Sequence, residues 1–240
     1  MKFTYFGFLL LLSSILLGYF AFRRWRESSA HPERTINRYY FIGTALLTLG
    51  LFLECIPLLF PVWFSPTAPV WIILATTSNA IAFGYYLRVP FYMKYTERIY
   101  SVLDHFISLY ILATIGMFIF YPPTPEVFDS TIHWQFNAVQ TLLIFLLNMV
   151  ACGLNIILIY RSVRKSETSW LPKFVLLMIG FIFAASGSGY LYAGNNPILL
   201  QVAYTILFLG IFILVIGTLF SPLKLENEKM NVNTNKNSPV

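Results

Sequence analysis

Charge is scarce in this chain. Only 11% of its 240 residues are Asp, Glu, Lys or Arg, against roughly 25% in a soluble domain. So little charge cannot cover a water-facing surface. A soluble enzyme or a large soluble domain is therefore excluded. Cysteine is nearly absent, with Cys55 and Cys152 alone. On the topology argued below, Cys55 lies about 9 Å from the outer end of its helix and Cys152 about 27 Å. A disulfide needs Cα atoms within roughly 7 Å, so these two are expected to stay apart. Histidine is equally sparse: His31, His105 and His133. His105 and His133 fall near opposite membrane faces and His31 falls in a loop, so neither a metal cluster nor a bis-histidine haem is expected. No glycine loop of the phosphate-binding kind occurs. The run Ser186-Gly187-Ser188-Gly189 is followed by no histidine, which removes serine proteolysis of the rhomboid type. No cofactor is expected.

What the chain does contain is apolar. Hydrophobic residues make up 58% and aromatic residues 18%. Seven apolar stretches approach or exceed the roughly 20 residues that a spanning helix needs. They lie at 3–22, 39–60, 70–87, 100–121, 134–160, 171–193 and 197–220. The expected fold is all-α: a polytopic bundle of seven transmembrane helices over residues 1–224. The polar, Asn-rich segment 225–240 is expected to be a disordered tail. The first stretch is longer than the apolar core of a signal peptide and has no small-residue cleavage site, so it is expected to remain as an anchor.

The basic residues orient this bundle. Arg23, Arg24, Arg26, Arg34 and Arg38 separate the first two stretches. Arg88, Lys94 and Arg98 follow the third, and Arg161, Arg164, Lys165 and Lys173 follow the fifth. Lys224, Lys229 and Lys236 follow the seventh, while the alternate connections hold no basic residue. Lys/Arg-rich connections stay cytoplasmic. The N-terminus is therefore expected outside, the C-terminus inside, and the location is the cell membrane. The net charge of +6 is accounted for by topology, not by a nucleic-acid partner. Trp25 and Trp170 fall at inner ends of the stretches, and Trp63, Trp71 and Trp134 at outer ends, as interfacial rings do.

Ionisable groups inside spans default to functional hypotheses. Glu54, three residues before Pro57, is the clearest. Thr76, Gln140, Ser186, Ser188 and Gln201 fall at similar depth on other helices, with His133 just above. These residues are expected to form an outer polar layer that binds a ligand or ion, although single interhelical hydrogen bonds would use the same side chains. Asn79 and Asn148 lie deeper, as interhelical ties. Asp104 is expected to join Arg88, Lys94 and Arg98 in an inner ion network. Gly180, Ala184, Gly187 and Gly189 have the spacing of a close helix contact.

The seven-helix, N-out pattern resembles that of seven-helix receptors, namely rhodopsins, G-protein-coupled receptors and the membrane input modules of some prokaryotic sensor kinases. The resemblance is one of topology. Residues 197–220 contain no retinal-binding Lys, the third stretch ends in Tyr85-Tyr86-Leu87-Arg88, and Asn196-Pro197 is followed by Leu200 where the receptor motif has Tyr. It implies a sensor or signalling module without its own output domain, meeting a cytoplasmic protein at its basic inner connections. A small transporter using Glu54 is the alternative, and a membrane enzyme or assembly factor is a third reading. No paired catalytic side chains support the enzyme.

Overall fold

The computed structural model describes residues 4–30, 35–128, 131–164, 171–193 and 197–219. The helices are α1 (Tyr5–Ala30), α2 (Thr35–Leu59), the single turn α3 (Pro61–Phe64), α4 (Ala68–Lys94), α5 (Glu97–Phe120), α6 (Ala138–Arg164), α7 (Leu171–Ala193) and α8 (Pro197–Leu219). Six of them contain spans long and apolar enough to cross a membrane: Tyr5–Arg26, Thr35–Leu59, Ala68–Lys94, Glu97–Phe120, Ala138–Leu158 and Ile198–Gly217. In α7 the apolar stretch is shorter, Val175–Leu191. The tail at 225–240 lies outside the described residues.

Prolines and polar side chains set the element ends. Pro61, Pro66 and Pro69 fragment the α2–α4 connection into α3 and a 3-10 turn at Ser65–Thr67, since a proline cannot donate within a continuing helix. Pro122 and Pro123 do the same after α5. Two helices outrun the apolar stretches that announce them. α1 continues past 22 to Ala30, and α4 continues past 87 to Lys94 despite Pro90. In both, arginines begin before the helix ends.

A two-stranded antiparallel hairpin separates α5 from α6. β1 (Thr124–Phe128) pairs with β2 (Thr131–Gln135), with Glu126 opposite His133 and Pro125 opposite Trp134. It packs on α2 and α4. Trp134 is buried in a cluster with Leu10, Leu58, Ala68 and Ile72. The expected start of the fifth stretch at 134 thus falls in β2, and the helix begins at Ala138. Asn137 and Gln140 form a reciprocal cap there. The Gln140 amide donates to Asn137 Oδ1 at 2.8 Å, and the Asn137 amide donates to Gln140 Oε1 at 3.0 Å. That satisfies two of the donors a helix start leaves open.

The helices form a ring. α1 packs on α2, α2 on α4, α4 on α6, α6 on α7, α7 on α8, and α8 returns to α1. α5 stands against the outside of α4, with lesser contact to α6. Burial agrees with this: the apolar window of α4 is 56% buried and that of α5 only 22%. The α7–α8 contact is backbone on backbone. A Cβ added at Gly187 would lie 2.6 Å from the amide nitrogen of Leu207, and one at Gly210 would collide with the backbone of Ala184. Small residues permit this approach where lipid supplies no hydrophobic drive between helices.

Candidate functional site

Inward faces follow a heptad rule. On α1, Leu10, Ser14, Leu17, Ala21 and Arg24 are all buried. On α2, Tyr40, Thr44, Leu51, Glu54 and Leu58 are buried, with Leu47 partly so. Steps of three and four keep a stripe facing a neighbouring helix. Each stripe carries one charged side chain, and both are almost wholly inside. Arg24 is 4% exposed and Glu54 is 7% exposed.

Both stripes border a cavity of about 150 Å³ in the middle of the ring. All six ring helices line it: Leu17, Phe20 and Arg24 from α1, Leu51 and Glu54 from α2, Asn79 and Phe83 from α4, Asn148 and Cys152 from α6, Ala184 and Ser188 from α7, and Leu207 and Ile211 from α8. α5 contributes nothing among the described residues. The wall is mostly hydrocarbon. Tyr40 and Glu54 mark its two ends on one helix, and at 1.5 Å per residue they stand roughly 21 Å apart.

Polar groups gather at three levels. At one end, Tyr204 of α8 is hydrogen-bonded to Glu54. Midway, Asn148 donates to Ser188, Ser188 donates to the Ala185 carbonyl at 3.1 Å, and Cys152 Sγ lies 3.3 Å from Asn148 Oδ1. At the other end stands Arg24, its guanidinium 5.0 Å over the Phe20 ring and close enough to Tyr40 and Tyr86 to act on both electrostatically. Tyr40 donates to Asn155 Oδ1 at 2.8 Å, and Asn155 Nδ2 donates to the carbonyls of Tyr86 (3.0 Å) and Ala151 (2.8 Å). Thr44 spends its proton on the Tyr40 carbonyl at 2.7 Å, so Tyr86 is the donor in the 2.9 Å contact between the two hydroxyls. Asn155 therefore ties α2, α4 and α6 together around the Arg24 end.

Of the residues expected to share an outer layer, the cavity brings together Glu54 and Ser188. Thr76 is buried but turns its hydroxyl to the Ile72 carbonyl at 2.6 Å. Gln140, besides capping α6, donates to the carbonyls of Met117 and Tyr121 at the end of α5. Ser186 and Gln201 are exposed on the outer faces of their helices. His133 lies in β2, and its side chain is outside the described residues. In the inner group, Arg88 is ion-paired with Asp104 and donates to Ser108 Oγ at 2.9 Å. Lys94 sits 5.0 Å over the Tyr95 ring, and Arg98 is exposed. Among the described residues no three His, Cys, Asp or Glu side chains gather as metal ligands would.

Sequence reasoning passed over Arg24, Tyr40, Tyr86, Asn155 and Tyr204. In the sequence Arg24 reads, with Arg23 and Arg26, as loop charge. The heptad stripe that carries it inward was readable, because Leu10, Leu17 and Arg24 are seven apart.

No family model, curated protein or solved structure matches the chain. The cavity and the residues around it are the features that bear on function.

Proposed function

We propose that this protein is a receptor-like ligand-binding module of the cell membrane, with seven spans, an outer N-terminus and a cytoplasmic C-terminus. Its site is the cavity inside the six-helix ring. One observation carries the reading: an apolar cavity bounded by a buried carboxyl at one end and a buried guanidinium at the other. Charged side chains inside a bundle are costly and mark functional sites by default. Apolar cavities with a few placed polar groups are the usual form of small-molecule sites. The basic connections supply the orientation and a surface for a cytoplasmic partner.

Filling the cavity tests the reading. Ala151 is 1% exposed and lines the wall. Ala151→Phe adds a large side chain to that space and leaves both charged residues unsubstituted. A total small-molecule extract of the native membrane should raise the thermal midpoint of the wild type by several degrees, because a ligand that binds only the folded state stabilises it. The Ala151→Phe protein should not respond. An equal response of both proteins would place the ligand elsewhere.

A second reading has a specific observation behind it. Glu54 is buried at the cavity's end beside Tyr204, where a transporter would carry its coupling proton or cation. Substrate-driven acidification of proteoliposomes that Glu54→Gln abolishes would favour the transporter over the receptor.

A further inference from the structure

We propose that the cavity takes a small organic monocation, an ammonium compound of about six to eight heavy atoms with a neutral hydrogen-bonding group at its far end. Glu54 holds the ammonium, and Asn148 with Ser188 holds the far end. The inference rests on the ligand-binding reading above and adds the ligand's class and direction.

Four observations lead there. First, Glu54 is a buried carboxyl whose partner is neutral. The Tyr204 hydroxyl is hydrogen-bonded to it, and no basic side chain among the described residues is paired with it. An ionised carboxyl has about four acceptor sites, so one hydroxyl leaves room for the donors of an ammonium. A buried carboxylate is costly until a counter-charge meets it. Second, the oxygens at this end suit an ammonium better than a metal ion. They are the two of Glu54 and the Tyr204 hydroxyl, while Leu51 and Leu207, one turn from each, present hydrocarbon to the cavity. A calcium ion takes roughly six to eight oxygen ligands.

Third, the wall between the ends carries a neutral polar level. Asn79 stands against Gly50, where an added Cβ would collide with it. Gly50 is four residues, roughly 6 Å, from Glu54. Asn148 stands seven residues, roughly 10 Å, from Asn155, which meets Tyr40 at the far end, and so lies about halfway back to Glu54. Asn148 spends one N–H on Ser188 and one lone pair on the Cys152 thiol. Its amide has a second donor and a second lone pair. Every group at this level is neutral, so a second charge on the ligand would be buried there without a counter-charge. A hydroxyl or amide would find partners.

Fourth, size limits the ligand. The cavity holds about 150 Å³, the volume of an engineered cavity that binds benzene. A short chain or a single ring with a polar group at each end fits. A lipid chain, a sterol or a nucleotide does not.

The test uses the whole protein in phosphatidylcholine nanodiscs and titration calorimetry, with empty nanodiscs as the background. The probes are aminopentanol, pentylamine, pentanediol and pentanoate, which share an unbranched chain and differ in the groups at its ends. Saturable binding is expected for aminopentanol. Pentanediol and pentanoate should bind at least about tenfold more weakly, the scale of one lost charge-assisted hydrogen bond, and pentylamine should fall between. Glu54→Gln should bring aminopentanol down to the level of pentanediol, and Glu54→Asp should restore part of the difference. Asn148→Leu should make aminopentanol and pentylamine equal. If Asn148→Leu fails to fold, the wild-type order of those two probes decides the far end. Pentanediol or pentanoate binding as well as aminopentanol, or aminopentanol binding indifferent to Glu54→Gln in a folded protein, would overturn the ammonium assignment. Pentylamine equal to aminopentanol in the wild type would overturn the far-end contact. No saturable binding of any probe to the wild type would overturn the ligand class. Wild type and Ala151→Phe responding alike to the membrane extract, as above, is the separate result that sinks the site itself.

Discussion

At the residue scale, the cavity's ends differ in how their polar groups are held. Asn155 is the centre of one end. It accepts from Tyr40 and donates to the carbonyls of Tyr86 and Ala151, and its side chain is wholly buried. Asn155→Leu removes all three bonds at once and leaves the Tyr40 hydroxyl without its acceptor. An unsatisfied buried donor costs about 1–3 kcal/mol. Asn155→Leu should therefore unfold at measurably lower denaturant in an SDS titration, and Tyr40→Phe should lose less, about 0.6–2 kcal/mol. Equal stability of Asn155→Leu and wild type would show that this tie is not made in the bilayer. The other end depends on Glu54 and Tyr204. Glu54→Gln keeps an acceptor for the Tyr204 hydroxyl and should fold with near-normal stability. Glu54→Leu leaves that hydroxyl without an acceptor and should be the less stable of the two in the same titration. The reverse order would mean that charge at position 54 holds the fold.

At the element scale, much of the bundle was legible in residue types, and the misjudged parts share a physical cause. Apolar length located the helices because hydrocarbon admits few alternatives to a helix. It misjudged the C-terminal ends of α1 and α4, where the helix outlasts the apolar run. Arg24 and Arg88 sit on those extensions, yet one turns into the ring and the other pairs with Asp104. Composition counts charge without reading direction. The hairpin was missed because Trp134 reads equally well as an interfacial ring and as a strand residue. The nearby Asn137–Gln140 pair is a recognisable helix start, and its meaning depends on context. Gln140 was expected to line a site, and it also donates to the two carbonyls at the end of α5. The cap and the clamp make Gln140 the joint between α5 and α6. Gln140→Ala should cost about 1–3 kcal/mol and speed hydrogen exchange at the last turn of α5 and the first of α6. Unchanged exchange at both turns would contradict a clamp. The α7–α8 contact is as demanding. Gly210→Leu must push the helices apart and should destabilise by more than either polar change, since backbone lies where the side chain would go.

At the scale of the whole molecule, the rise per residue places each polar side chain along its helix and leaves its facing open. Placing Glu54, Thr76, Gln140, Ser186, Ser188 and Gln201 at one level required only the rise per residue. Which of them meet depends on helix rotation, and in the structure only Glu54 and Ser188 reach the common space. The heptad stripe of α2, from Tyr40 to Leu58, would have turned Glu54 inward, but it says nothing of the rotation of the helices that carry the others. Orientation is a separate matter, carried by the basic connections. Reporter fusions after Ser130 and after Lys236 should read on opposite sides, with Ser130 outside. The same side for both would require an even number of spans between Ser130 and the tail, where α6, α7 and α8 supply three.

A ligand held inside the ring would meet the side chains that line the cavity and not those on the outer faces of the same helices. Phe181 lines the cavity, while the adjacent Ile182 is 46% exposed on the outside of α7. A photo-crosslinking side chain placed at 181 or at 182, activated in native membranes and read by intact-protein mass spectrometry, compares the two environments one residue apart. The account predicts a discrete small-molecule adduct at 181 that is absent at 182, where adducts of ordinary two-chain lipids form. Identical lipid adducts at both positions, or none at 181, would contradict it.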